Sequence, residues 1–311
     1  MFVPVYIAFA AALLFYFLIP IAGAFRLRSQ WRRFRERITR ISLTPILQYG
    51  DIASASHEGR AIIGRFRLLG TIDAIEGQDR VWVRGKNVSA LVDLSRAPVY
   101  VAEPGPVEPG SIERLRWSSV SSLVEGTSIF VGGLLHFEDG RPVFVDAPEE
   151  GLIAVCHDEV EGRLVSRLIA GGRASNEYWN YLTIISLAVG VAVISGILLI
   201  FRTTVFSTLA ALIFLSGAIP ILPFAPPGLI FFFAYFRFWR LALAARTSRD
   251  LLRLPPQPSG GIDDTPEGDP EILTRHVERQ AFVYAGAAGL SFGLALIVNF
   301  ILAFIIWRSV L

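Results

Sequence analysis

Hydrophobic residues run through this chain in long unbroken blocks, apart from one stretch where they alternate with polar residues in short runs. The first block, residues 3–25, carries no charged side chain. Its length of roughly 20 residues is what a hydrocarbon core about 30 Å thick requires. Residues 181–201 and 282–307 form two more blocks of this kind. Between them, residues 204–236 stay apolar for about 33 positions, longer than one straight crossing needs. Pro220, Pro223, Pro226, Pro227 and Gly228 must break that block, because proline removes a backbone donor and clashes with the preceding turn.

The pattern predicts an α-helical membrane protein with about four spans plus a proline-broken segment. The first block reads as a span and not as a cleaved signal, since its basic residues follow it instead of preceding it. Arginines cluster after residue 25 and again at Arg237, Arg240, Arg246, Arg249 and Arg253. Basic residues mark cytoplasmic ends. Four crossings put both clusters inside, with the N-terminus and C-terminus outside; five would expose the second cluster. The expected arrangement is therefore a span ending near Pro223, followed by a short helix that turns back along a bacterial-type inner membrane.

The arginine-rich collar at residues 26–41 has a helical face of its own. Leu27, Trp31, Phe34, Ile38 and Ile41 recur at spacings of four, three, four and three, the period of one helix stripe. Arg26, Arg28, Arg32, Arg33, Arg35, Arg37 and Arg40 with Glu36 give the remainder a charge of +6. Two readings of the stripe stay open. Together with Trp31 and Phe34 the arginines could form a membrane-surface helix bound to anionic headgroups, or the stripe could pack on the next domain.

Residues 42–158 switch to short β-rich runs separated by glycine, proline and Asp-Gly signals. The predicted strands are 61–69, 71–76, 80–84, 88–94, 99–102, 128–137, 141–145 and 152–156. Glu76-Gly77-Gln78-Asp79 and Glu138-Asp139-Gly140 mark two hairpins. Such spacing predicts a small soluble β-barrel, OB-like, inserted between spans 1 and 2. The remaining boundaries follow from the same pattern: residues 1–25 for the first span, 159–180 for a short helix and linker, and 181–253 for the helices with the broken segment. Residues 254–270, rich in Pro, Gly and acid, read as a disordered loop, and 271–311 as the last span with its helical lead.

The spans hold no Asp, Glu, Lys or His in their interiors, which disfavours an ion- or proton-coupled transporter. Gly289 and Gly293 form a small-xxx-small pair expected to serve helix packing, as do Ser186 and Gly190. Asn299 is the one amide deep in a span and is expected to bond a neighbouring helix.

Composition agrees with a membrane protein: 53% of the chain is hydrophobic and only 18% charged, against about a quarter charged in soluble chains. Cys156 is the only cysteine, which excludes an intrachain disulfide and a cysteine zinc cluster. Cys156, His157 and Asp158 are consecutive, yet adjacent strand residues point to opposite faces and cannot meet as nucleophile and base. His57, His136 and His276 have no second ligand at metal spacing, and Gly132-Gly133 and Gly171-Gly172 lack a phosphate-loop context. No catalytic, metal or cofactor-binding residue is expected, and the chain is not read as an enzyme.

An OB-like barrel raises the question of nucleic acid, which charge answers. Residues 41–176 hold 13 basic against 18 acidic residues, a balance of −5. This argues against a nucleic-acid groove and for a protein-binding module. Trp82, Arg84 and Lys86 could form a local patch, although a tryptophan on a strand reads more readily as core.

The stretch Glu125-Gly126-Thr127-Ser128-Ile129-Phe130-Val131-Gly132-Gly133, followed by Glu138-Asp139-Gly140-Arg141-Pro142-Val143-Phe144-Val145, a loop with Pro148 and Gly151, and a helix carrying Val160, Leu164 and Leu168, resembles the GIDE-type, beside-a-membrane domain of membrane-anchored ubiquitin ligases and their prokaryotic relatives. In that family one span precedes the domain and another follows it. The ligases add a cysteine-rich RING, which a chain with a single cysteine cannot supply, so ligase activity is not implied. What the resemblance implies is a membrane-adjacent β domain that binds partners. The expected function is a multi-pass, non-enzymatic scaffold or accessory subunit that binds a protein partner or forms a homo-oligomer. The alternative is a transport component for a small molecule or lipid that uses the broken segment.

Overall fold

The computed structural model describes residues 3–102, 112–119, 125–147, 151–158, 161–174, 180–201, 207–254 and 269–310. The chain divides into a helical unit and a sheet unit, with breaks between residues 30 and 31 and between 175 and 176. Four helical segments are long and apolar enough to cross a membrane: Val3–Ser42, Tyr181–Ile200, Gly228–Leu252 and Glu271–Ile306.

In the helical unit, α1 (Val3–Leu13), a π-helical stretch (Leu14–Leu18) and α2 (Ile19–Ser42) follow without a break. Helix α5 (Tyr181–Phe201) packs against the π-helical stretch. The Ser186 hydroxyl donates to the Phe15 carbonyl, and a Cβ on Gly190 would stand 2.8 Å from that of Phe15. The Ser186/Gly190 pair thus lets two helices approach closely. Val5, Ala8, Ala12, Tyr16, Ile194 and Ile213 fill the core of this contact. Gly289 and Gly293 behave otherwise: a Cβ on either would meet nothing within 4 Å. Among the described residues, α8 (Pro270–Val310) turns its Asn299 face, not this one, to the turn before α7 (Gly228–Leu252), which leaves association between protomers open for the pair.

The helix that follows the prolines, expected to be short, is long, and helix α6 before them is described over Ser207–Ala218. After a 3-10 turn at Leu222–Phe224, α7 runs for 25 residues, about 37 Å. The long helix therefore follows the prolines, and Arg237, Arg240, Arg246 and Arg249 lie inside it instead of beyond it. The reason is local. Proline is well placed just before a helix, where the first amides have no intrahelical partner, and arginine is a good helix former. Charge ended the apolar pattern there without ending the helix. α7 and α8 run antiparallel: Arg249 Nη1 lies 3.2 Å from Glu278 near one end, and Gly228 bonds Asn299 at the other.

The sheet unit contains β1 (Ile62–Glu76), β2 (Arg80–Arg84), β3 (Ser89–Asp93), β4 (Pro98–Ala102), β5 (Ile112–Arg116), β6 (Ser128–Glu138), β7 (Arg141–Val145) and β8 (Ile153–Cys156). They form one mixed eight-stranded sheet in the order β1-β2-β3-β7-β6-β8-β4-β5, and β1 also pairs with β6. The β3–β7 and β4–β8 contacts are parallel and the others antiparallel. Leu68, Ile72, Val81, Val83, Ile129 and Phe144 fill the core. The β6–β7 hairpin turns on Asp139 (φ 51°) and Gly140 (φ 74°), two successive left-handed residues of the kind a two-residue hairpin demands.

Three details differ from the sequence pattern. Residues 61–69 and 71–76, expected as two strands, are one 15-residue strand, because Gly70 lets the Arg84 carbonyl approach instead of breaking the ladder. β5 was not expected, since Ile-Glu-Arg-Leu-Arg is mostly charged, and three of its five residues are exposed. Helix α3 (Tyr49–His57) was also missed, although Gln48 and Asp51 form a capping box across its start. Helix α4 (Glu161–Ala174) is the expected short helix after the sheet. Most of the expected acidic loop, residues 255–268, lies outside the described residues.

Candidate functional site

Strand alternation sends Val81 and Val83 into the core and leaves Arg80, Trp82 and Arg84 on the outer face of β2. Trp82 is thus not core. It is half-buried, stands opposite Leu91 of β3, and donates its indole N–H to Glu76 Oε2 at 2.8 Å. Around it the charges pair across strands. Arg80 Nη2 lies 3.0 Å from Glu138 and 3.9 Å from Asp93, Arg84 meets Asp73, and Arg141 Nη1 lies 3.2 Å from Glu76. Exposed pairs of this kind contribute only about 0–1 kcal/mol each. Their consequence is electrostatic: Arg80, Arg84 and Arg141 are each matched by a carboxylate, which leaves these three poorly suited to a phosphate backbone. Tryptophan and arginine are the residue types enriched at protein interfaces, although the carboxylates that surround them here are not.

The collar resolves toward domain packing. Trp31, Phe34, Ile38 and Ile41 are buried within the sheet unit. The Phe34 and Tyr100 rings are 4.3 Å apart, Trp31 meets Phe34 edge-on at 5.5 Å, and Ile41 fills the space above Gly132 of β6. Burial pushes the Tyr100 phenol above its ordinary pKa. Trp31 and Phe34, expected at the membrane surface, are therefore spent on β4 and α4. Arg35 is also buried and donates to the Gly172 carbonyl of α4 at 2.7 Å. An amphipathic stripe needs an apolar partner, and the sheet unit supplies one from Trp31 to Ile41. Arg26, Arg28, Arg32, Arg33 and Arg40 remain exposed, and Arg37 is half-buried.

The helix-break residues converge on Asn299. Its Nδ2 donates to the carbonyls of Leu222 at 2.5 Å and Ala225 at 2.6 Å, and its Oδ1 accepts from the Gly228 amide at 3.1 Å. Groups that the prolines strand without helical partners are satisfied by one side chain from the neighbouring helix.

The Cys156-His157 pair offers no nucleophile. Cys156 sits in the sheet core between β4 and β6, and burial pushes its thiol up to about 12. His157 is buried too, and desolvation lowers its pKa. Among the described residues, no group of three or more His, Cys, Asp and Glu side chains is placed to hold a metal ion. His57 and His276 are exposed, and His136 is half-buried on β6.

Comparison with known protein families, with curated proteins and with solved structures finds no match.

Proposed function

We propose that the chain is a multi-pass inner-membrane scaffold or accessory subunit, non-enzymatic, whose cytoplasmic OB-like, GIDE-like domain docks a protein partner through the face around Trp82. One observation carries this reading: a half-buried indole, held by Glu76, inside a lattice of arginines already matched by carboxylates. Support for an OB-like barrel comes from the pairings, which lead from β1 through β2, β3, β7 and β6 back to β1. A closed ring of five strands suits that fold, with β4, β5 and β8 as additions. The charge balance of −5 in residues 41–176 favours protein over nucleic acid. Arg26, Arg33 and Arg40, exposed on α2, suit anionic headgroups on the cytoplasmic leaflet, in keeping with an external N-terminus.

Transport along the broken segment has less support, because Asn299 already engages the carbonyls and amide that a permeating solute would need. The test is a mild-detergent purification of the intact chain with mass spectrometry of bound proteins, beside a chain lacking residues 43–160. A stoichiometric protein lost with the deletion is expected. If both chains purify alone and the intact chain moves a solute in proteoliposomes, the docking reading fails.

A further inference from the structure

Three contacts fix the register of α7 on α8. Gly228 bonds Asn299, the Tyr235 and Phe292 rings stand 5.4 Å apart, and Arg249 Nη1 lies 3.2 Å from Glu278. Each step along α7 is matched by an equal step back along α8, so Arg237, nine residues after Gly228, is level with Leu290, nine residues before Asn299. At 1.5 Å per residue that separation is about 13 Å. Arg308 lies nine residues past Asn299, about 13 Å the other way. Between these two levels α8 carries no charged residue. The proline turn is therefore midway along a stretch of about 27 Å, close to the thickness of a hydrocarbon core.

The end of α6 supplies a second measure on different helices. Tyr16 donates its hydroxyl to the Gly217 carbonyl at 3.2 Å, and a Cβ on Gly217 would stand 3.3 Å from Ile194 of α5. Tyr16 is ten residues before Arg26, the first arginine of the collar, which is about 15 Å and half a hydrocarbon core. Both measures put the turn in the middle of the bilayer. An α7 that crossed alone would start at one surface and carry Arg237 and Arg240, both exposed, near the centre, where a charged side chain is costly.

A break at mid-bilayer has no water to satisfy its backbone, so its polar groups must be met within the protein. Asn299, 3% exposed, meets Leu222, Ala225 and Gly228, while the turn bonds itself from Ile221 to Ala218 and from Phe224 to Ile221. Ile221 and Phe224 are 67% and 56% exposed, apolar side chains suited to lipid. We infer that α6 and α7 are two halves of one crossing, interrupted at mid-bilayer, and that Asn299 is the latch that holds the interruption closed and dry. The crossings remain four: the first helix, α5, α6 with α7, and α8. The inference stands independently of the Trp82 face.

The experiment places a nitroxide on introduced cysteines in the full chain, reconstituted in phosphatidylcholine vesicles. Collision with oxygen, which concentrates in lipid, is compared with collision with a water-soluble nickel chelate. Cys156 is buried in the sheet core and should stay unlabelled in the parent chain. Labels on Ile221→Cys, Phe224→Cys and Ile230→Cys, all at exposed positions, should read as deep as bilayer-centre lipid probes. Labels on Leu241→Cys, Ser248→Cys and Ser309→Cys should read at the headgroups or in water. Three separate deep positions keep the test decisive if one variant fails to fold. Asn299→Ala should raise nickel collision at 221 and 224 about tenfold, the shift in an opening equilibrium that two lost interhelical bonds allow, and leave 248 unchanged. Nickel collision at 221 and 224 equal to that at 309, with the deepest reading near 241, would overturn the interrupted crossing. A deep turn whose nickel collision is unmoved by Asn299→Ala would overturn the latch.

Discussion

Asn299 of α8 and Gly228 of α7 depend on each other: the Asn299 carboxamide accepts the Gly228 amide at 3.1 Å, and the same carboxamide occupies the space that any side chain at residue 228 would need. Replacing Asn299 with Leu leaves the Leu222 and Ala225 carbonyls without this partner. Interhelical bonds in membranes are worth about 0.6–2 kcal/mol each. Asn299→Leu should therefore lower the thermal midpoint in detergent, and Gly228→Ala should do so too, because its Cβ would stand 2.7 Å from the Ala295 carbonyl. Unchanged midpoints in both variants would contradict the assignment of Asn299 as the partner of the proline turn.

The two small-residue pairs should respond in opposite ways. Gly190→Ala drives a Cβ into Phe15 and Tyr16, whereas Gly289→Ala meets open space. Overpacking costs about 1–3 kcal/mol. Unfolding of the purified variants should show destabilisation for Gly190→Ala and little change for Gly289→Ala.

Phe34 ties α2 to the sheet unit and is almost fully buried against Tyr100. Phe34→Ala should cost about 3–5 kcal/mol of sheet-unit stability. The loss would be read in urea titrations of the full chain, followed by the fluorescence of neighbouring Trp31. A lipid-facing Phe34 would instead leave those titrations unchanged and weaken vesicle binding.

Cys156 and His157 bracket the pH range of stability. The folded thiol sits at about 12, above its ordinary value of 9.0. The unfolded chain therefore loses its thiol proton first as pH rises, and stability falls by about 1.4 kcal/mol per unit between those values. Desolvation lowers the His157 pKa below 6.5, so the unfolded chain binds its proton first and stability falls again as pH drops through that value. Thiol-directed reagents should leave folded protein unmodified at pH 8 and label it fully after denaturation. Rapid labelling of the folded chain would contradict the core placement of Cys156.

How much of this was legible beforehand depends on the range of the interactions. Alternation is local, so Val81 and Val83 announced β2, and Asp139-Gly140 announced the β6–β7 hairpin. Ile112–Arg116 hid because a strand needs only a neighbour, not an apolar pattern, and Val99↔Leu115 pairing supplied it. The α2 stripe showed that something apolar would cover Trp31 and Phe34, but a sheet and a lipid leaflet write the same stripe. Trp82 was misread because its aromatic character outweighed the parity that places it opposite Val81 and Val83.

The most direct test of the docking face replaces Trp82 with Ala in the full chain. Trp82 is half-buried on the outer face, so the substitution should keep the fold. The account predicts that a protein bound in stoichiometric amount to the parent chain in mild detergent is lost from Trp82→Ala, at an unchanged thermal midpoint, and is retained by Arg40→Gln. Retention of the same partner by a folded Trp82→Ala chain would contradict it.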